Sequence, residues 1–240
     1  MELQKLFLVL ADISGYTKFI TSHKTSLLHA EKIITELMES VIDSSEHPLL
    51  VNKLEGDAAL FYAMSDESPA AARDVMLQVR RFFDAFYERE ARMTEFNMCN
   101  CEGCLQMGRL DLKAILHHGE AAIKKVRRFE ELAGEEVILV HRLLKNSVPK
   151  KEYILMTEPF FTLLGGLPGE PVERRTETCE GFGPVGVHVQ YPLHKLNDVP
   201  IPEDALRFRW NKLPQLLRLK AYSLVRTLGL RKAAFRNLPA

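Results

Sequence analysis

No stretch of this sequence approaches the roughly 18 consecutive apolar residues that a membrane-spanning helix needs, and cysteine is scarce, with four in 240 residues. The first absence removes helical membrane proteins. The second removes disulfide-framed secreted scaffolds, all the more because Cys99, Cys101 and Cys104 crowd into one CNCEGC segment and Cys179 stands apart. Such clustering fits reduced thiols or a bound metal. There is one tryptophan and no internal repeat, and glycine and proline number 13 and 12, which excludes a collagen-like or low-complexity chain. Net charge is missing too, since 32 Lys+Arg balance 32 Asp+Glu. With 46% hydrophobic and 27% charged residues, what remains is a globular protein able to bury one large or two small cores. The opening MELQKLFLVLADIS reaches Asp12 before a signal peptide's apolar region and cleavage site would be complete, so a cytoplasmic location is expected.

The balanced total hides an uneven distribution. Residues 201–240 carry a net +7 and residues 1–200 a net −7. A body that acidic is a poor general binder of nucleic acid, because phosphate neutralisation requires a basic face. In the basic segment Leu217, Ala221, Leu224, Leu228 and Phe235 fall on one helical face. The chain therefore divides into a main domain, residues 1–196 with a Cys-rich insert at 97–108, and a basic amphipathic helical tail, residues 197–240. Such a tail fits peripheral contact with an anionic membrane surface or docking on an acidic body.

Within the main domain, residues 6–13 (LFLVLADI) form a short apolar run closed by an acid and Ser14-Gly15, the pattern of a strand buried on both faces. Helical spacing over residues 17–42 predicts one or two helices. Residues 49–62 predict a hairpin with Gly56-Asp57 at its turn. Ser68 or Asp66 can cap a long helix ending near Met93, with Phe82, Phe83 and Phe86 on its apolar face as core or dimer contact. CNCEGC is expected to be a loop. Residues 110–118 and 121–126 predict a hairpin broken at Gly119, residues 129–144 a helix, 153–156 a strand, 159–164 a short helix, and about 171–178 and 186–192 a final hairpin. That order gives an α+β fold, a mainly antiparallel sheet with helices on one face.

Asp12 closes the first strand and Asp57 occupies the turn between the second and third, so if these strands are neighbours both carboxylates project from one sheet edge. Hard oxygen ligands so arranged suit Mg²⁺ or Mn²⁺, and two such ions can activate a hydroxyl and neutralise a leaving pyrophosphate. Each Asp on its own also reads as a turn or capping residue. The strings FLVLADISGYTKF, VNKLEGDAALFYA, LKAILHHGEA and GEEVILVHRLLKNS, in this order, resemble the catalytic domain of class III adenylate and guanylate cyclases. They most resemble an uncharacterised cyclase-like subfamily with a Cys-x-Cys-x-x-Cys insert, over about residues 5–193.

The resemblance implies a ferredoxin-like βαββαβ nucleotide-cyclase core that pairs head to tail as a homodimer, with sites at the interface. It makes Asp12, Asp57 and the carbonyl of Ile13 the metal ligands. It makes Lys53 and Glu131 the readers of an adenine edge, favouring ATP, and Arg142 the residue that offsets charge at the reacting phosphorus. The last three would come from the opposite protomer. Two departures stand against it: Ile138 replaces the asparagine expected four residues before Arg142, and CEGFGPVGVHVQY lacks the expected phosphate-binding lysine. Each lost donor costs on the order of 10²–10³ in rate. Lys124, Lys125, Arg127 and Arg128 are substitute phosphate ligands or a solvated basic turn. Two functions stay open: a slow cyclase forming a 3′,5′-cyclic nucleotide plus pyrophosphate, and a catalytically degenerate module for nucleotide sensing or dimerisation.

The cysteines carry a separate expectation. Cys99, Cys101 and Cys104 offer three thiolates, with Cys179, His117 or His118 as the fourth ligand of a structural Zn²⁺; free thiols in a loop are the alternative. His117 and His118 otherwise take interstrand or turn roles, and His141 a packing role beside Arg142.

Overall fold

The computed structural model describes residues 2–22, 27–95 and 101–192. The predicted tail, residues 197–240, and Cys99 lie outside the described residues. The elements run β1 (Glu2–Ser14), α1 (Tyr16–Ser22), α2 (Leu27–Asp43), β2 (Leu50–Glu55), β3 (Ala58–Met64), α3 (Pro69–Glu95), α4 (Glu102–Gln106), β4 (Asp111–Val126), β5 (Phe129–Ala133), α5 (Glu135–Leu143), β6 (Tyr153–Thr157), α6 (Glu158–Leu164), β7 (Val172–Cys179) and β8 (Gly183–Gln190).

One eight-stranded sheet runs in the order β2-β3-β1-β4-β6-β8-β7, with β5 added to β4. All pairings are antiparallel except β4 with β6. The uninterrupted apolar run of β1 has its cause in this position. Phe7, Val9, Ala11 and Ile13 face a core shared with α2, α3 and α6, while Leu6, Leu8 and Leu10 face a second core that includes Val137, Val140 and Leu143 of α5. A strand buried on both faces has no solvent side on which to alternate. The fold is thus the expected mixed α and β arrangement with a mainly antiparallel sheet. The helices are shared between its faces, with α5 on the second.

On α3, Ser68 accepts a bond from Ala71 N at 3.1 Å through its Oγ and caps the helix. Phe82, Phe83 and Phe86 are fully buried, and each adds about 1.5–3 kcal/mol of apolar burial. The phenylalanine stripe is core.

Three local expectations are corrected. CNCEGC is no simple loop, since α4 begins directly after Cys101. Gly119 makes no turn: β4 runs straight through it, and a Cβ there would lie 2.6 Å from His117 Nε2 and 2.8 Å from Glu136 Cγ. Residues 129–144 are not one helix, because residues 129–133 pair with β4 from Val126↔Phe129 to Ala122↔Ala133 before α5 starts after Gly134.

Candidate functional site

Asp12 sits opposite Ala58 of β3 and Lys113 of β4. The β2–β3 turn is tied to the end of β1 by Ile13 N, which donates to the Asp57 carbonyl at 3.0 Å. Gly56 makes that tight turn at φ +66°, in the left-handed region that a side chain resists. Strand order and turn chemistry together bring Asp12 and Asp57 to one sheet edge.

The site is electrostatically loaded. Asp12 is buried, and the Lys113 ammonium lies 2.9 Å from its Oδ2. The same Nζ donates to the Leu144 carbonyl at 3.3 Å, just past the end of α5. Burial pushes the Asp57 carboxyl up to about 6, with the Asp12 charge next in weight; Glu31 acts in the same direction and Lys113 against it. Glu31 in turn accepts a bond from the Tyr16 hydroxyl at 3.1 Å. Burial first, then Glu31 and Asp57, hold that phenol above its ordinary range. An acidic pair with one lysine for company retains unbalanced negative charge, the condition under which oxygen ligands take a divalent cation. Asp12, Asp57 and the Ile13 carbonyl therefore fit Mg²⁺ or Mn²⁺ by donor chemistry.

The other predicted residues lie on separate elements. Lys53 on β2 reaches Glu55 two residues on, Nζ to Oε1 at 2.5 Å, and His141 Nε2 on α5 meets the other oxygen of Glu55 at 2.9 Å. Burial raises the Glu55 carboxyl, but the bonds and charges of Lys53 and His141 outweigh it and hold the group below its ordinary value. Glu131 on β5 pairs with Lys124 across the β4–β5 ladder at 3.4 Å. Within one chain, then, Lys53 and Glu131 each engage a near neighbour. Arg142, in the last turn of α5, is held at 2.7 Å by Glu180, which lies between β7 and β8. Ile138 points outward, 52% exposed. Lys125, Arg127 and Arg128 are exposed, and the Arg128 guanidinium lies 5.1 Å over the Phe129 ring.

The fourth zinc ligand proposed from sequence needs correction. Cys179 is buried in the α5-side core, whereas Cys104 packs against the opposite core. His117, 2% exposed, meets Thr157 Oγ1 at 2.9 Å through Nδ1 and lies 2.8 Å from Glu136. Burial, then His118, pushes its imidazole down to about 4. His118 engages Ser65 Oγ at 3.0 Å and the Phe7 ring. The imidazole beside Cys101 and Cys104 is His29.

The family described as "Protein of unknown function (DUF2652)" matches residues 34–153. An uncharacterized Mycobacterium tuberculosis protein, Rv2561/Rv2562, is 36% identical over 207 residues, covering 82% of this chain and 95% of that protein. The chain belongs to the DUF2652 family. Among solved structures, the guanylyl cyclase Cya2 is similar at a TM-score of 0.60 and 15% identity, covering 83% of this chain and 98% of that one. The adenylyl cyclase CyaB from P. aeruginosa is similar at a TM-score of 0.57 and 13% identity, covering 83% and 97%. This DUF2652 chain therefore has the fold of the class III nucleotide cyclase catalytic domains.

Four residues that shape the site in this DUF2652 chain escaped sequence reasoning: Lys113, Glu31, Glu55 and Glu180. Lys113 had a local signal, as the one basic residue in the otherwise apolar-alternating LDLKAIL. A lysine at a strand position whose neighbours are buried needs an acid nearby. Glu31 and Glu180 had none, because helix and turn acids are ordinary at the surface.

Proposed function

We propose that this DUF2652 protein binds a purine nucleoside triphosphate, ATP in preference, together with Mg²⁺ or Mn²⁺ in a cleft completed by a second copy of the chain, and slowly converts it to a 3′,5′-cyclic nucleotide plus pyrophosphate. The observation that carries this reading is the carboxylate pair at the sheet edge. Burial and the Asp12 charge push Asp57 up to about 6, so the site favours a partner more positive than Lys113 alone. Asp12, Asp57 and the Ile13 carbonyl would hold the cation, which when bound activates the ribose 3′-hydroxyl and neutralises the leaving pyrophosphate. The fold shared with an adenylyl and a guanylyl cyclase supports the substrate class.

The chain's own residues supply position and charge. Lys53 donates to, and Glu131 accepts from, the edge of an adenine ring, and Arg142 offsets charge at the reacting phosphorus. In this reading all three act from the partner protomer, on which Asn52 Nδ2 donates to the Glu130 carbonyl at 3.3 Å and so sets the chain neighbours of Lys53 and Glu131 side by side. Exposed apolar side chains favour a second copy as the partner: Leu54, Val126, Phe129 and Ile138 are each at least half exposed on β2, the β4–β5 arm and α5.

A second reading rests on specific observations. Ile138 offers no hydrogen bond where a donor is expected, and Glu180 places an acid on Arg142, so the cleft would bind nucleotide without turning it over. Incubation of the purified protein with ATP, GTP, CTP and UTP plus Mn²⁺ separates the two. Cyclic product that vanishes in Asp57→Asn supports the cyclase; tight binding without product supports the sensing module.

A further inference from the structure

The CNCEGC segment takes no part in the nucleotide reading, yet its geometry is specific. Cys101 is the N-cap of α4, extended at φ −68° and ψ 153°, and its thiol caps no backbone group. Cys104 follows at the third helical position, and an N-cap and its third helical residue face one another across the first turn. The x-x spacing thus turns both thiols to one side. On that side lies the start of α2, where His29 Nδ1 is 3.5 Å from Cys101 Sγ and 3.9 Å from Cys104 Sγ. All three atoms lie within 4.8 Å of one another.

Tetrahedral zinc, with Zn–S about 2.3 Å and Zn–N about 2.0 Å, spaces a thiolate sulfur and an imidazole nitrogen about 3.5 Å apart. The two thiol–imidazole distances, 3.5 and 3.9 Å, lie close to that spacing. The three residues come from segments 72 and 75 positions apart, converge with soft and borderline donors, and are partly accessible to an entering ion: His29 is exposed, and both cysteines are half-buried.

We propose that His29, Cys101 and Cys104 bind Zn²⁺ and so staple α4 to the first turn of α2. The neutral imidazole binds through Nδ1 and keeps its proton on Nε2, while the two thiols release theirs to solvent on binding. Three protein ligands leave one tetrahedral position for a further donor. The staple is structural, because its ligands are drawn from two helices far apart in sequence, and metal affinity becomes folding energy. It also reaches the carboxylate site indirectly. His29 lies two residues before Glu31, which accepts the Tyr16 bond and adds to the negative charge felt by Asp57.

The test uses the full chain purified without chelator. Elemental analysis is expected to find about one zinc per chain, and cobalt substitution to give thiolate-to-cobalt charge-transfer absorption. His29→Ala and Cys104→Ser are expected to lose affinity in a chelator competition by about tenfold or more, at least the cost of losing an outer-shell partner, whereas Asp57→Asn keeps wild-type affinity. Chelation is expected to lower the thermal midpoint of the wild type and leave both ligand variants unmoved. Zinc held equally well by both ligand variants, zinc lost in Asp57→Asn, or wild-type protein that takes up neither zinc nor cobalt would overturn the proposal. Cobalt spectra of the wild type decide the matter even if a variant fails to fold. Nucleotide binding is read on other residues, so failure here leaves that reading standing.

Discussion

Asp57 keeps its proton to about pH 6 because burial and the Asp12 charge both oppose ionisation. An acid whose folded value lies above its ordinary 3.8 weakens the fold as pH rises through that interval. Below 3.8 both states carry the proton and the group is silent; above about 6 both have lost it and the full cost is present. Asp57→Asn removes that cost. Its thermal midpoint should exceed wild type at about pH 7.5 and converge on it as pH falls to about 4; equal midpoints at the higher pH would contradict the assignment. The proton also competes with the cation, so Mn²⁺ affinity should fall about tenfold per pH unit below about 6, as followed by titration calorimetry. Arg142 carries a second residue-scale prediction. Its pair with Glu180 is solvent-exposed, worth about 0.2–1 kcal/mol. Glu180→Ala should therefore tighten nucleoside triphosphate binding by about 1.4-fold to fivefold; unchanged or weaker binding would mean that Glu180 does not compete with phosphate. Asp12 and Asp57 were legible as a pair because each sits in a short string with strand or turn chemistry around it, whereas Lys53 and Arg142 were reached only through the resemblance to cyclase motifs. Their acidic partners were not, since Glu55 and Glu180 gain meaning only from strands and turns brought together by the fold.

Elements were legible where local chemistry and tertiary position agree. The β1 run and the Gly-Asp turn gave their strand and hairpin directly. β5 was lost because FEELA is built from good helix formers, and what makes it a strand is its ladder on β4, with Lys124 opposite Glu131. Sheet pairing overrides propensity there. Gly119 misled for a related reason: its missing Cβ answers the close approach of His117 and Glu136, not a turn. Gly119→Ala should thus destabilise by about 1–3 kcal/mol through overpacking, measured by denaturant unfolding. A cost near zero would show that His117 and Glu136 move aside freely. The start of α4 and its meeting with His29 had no signal along the chain, because the contact spans 72 positions.

At the scale of the whole molecule, the sheet holds the carboxylate pair at one edge, while α5 and the β4–β5 arm carry exposed apolar side chains. Phe129, 59% exposed, would serve as an anchor for the second copy in the proposed dimer. Phe129→Glu should shift sedimentation of the full chain to monomer and abolish cyclic product, while an unchanged oligomeric state would remove the arm from the interface. None of the described helices is long and apolar enough to cross a membrane. The central claim, that Asp12 and Asp57 jointly hold a divalent cation with the nucleotide, is read most directly by electron paramagnetic resonance of Mn²⁺ titrated into the protein with ATP. Bound Mn²⁺ that is present in the wild type and absent from the Asp12→Asn/Asp57→Asn double variant is the predicted result; equal binding by both proteins would contradict it.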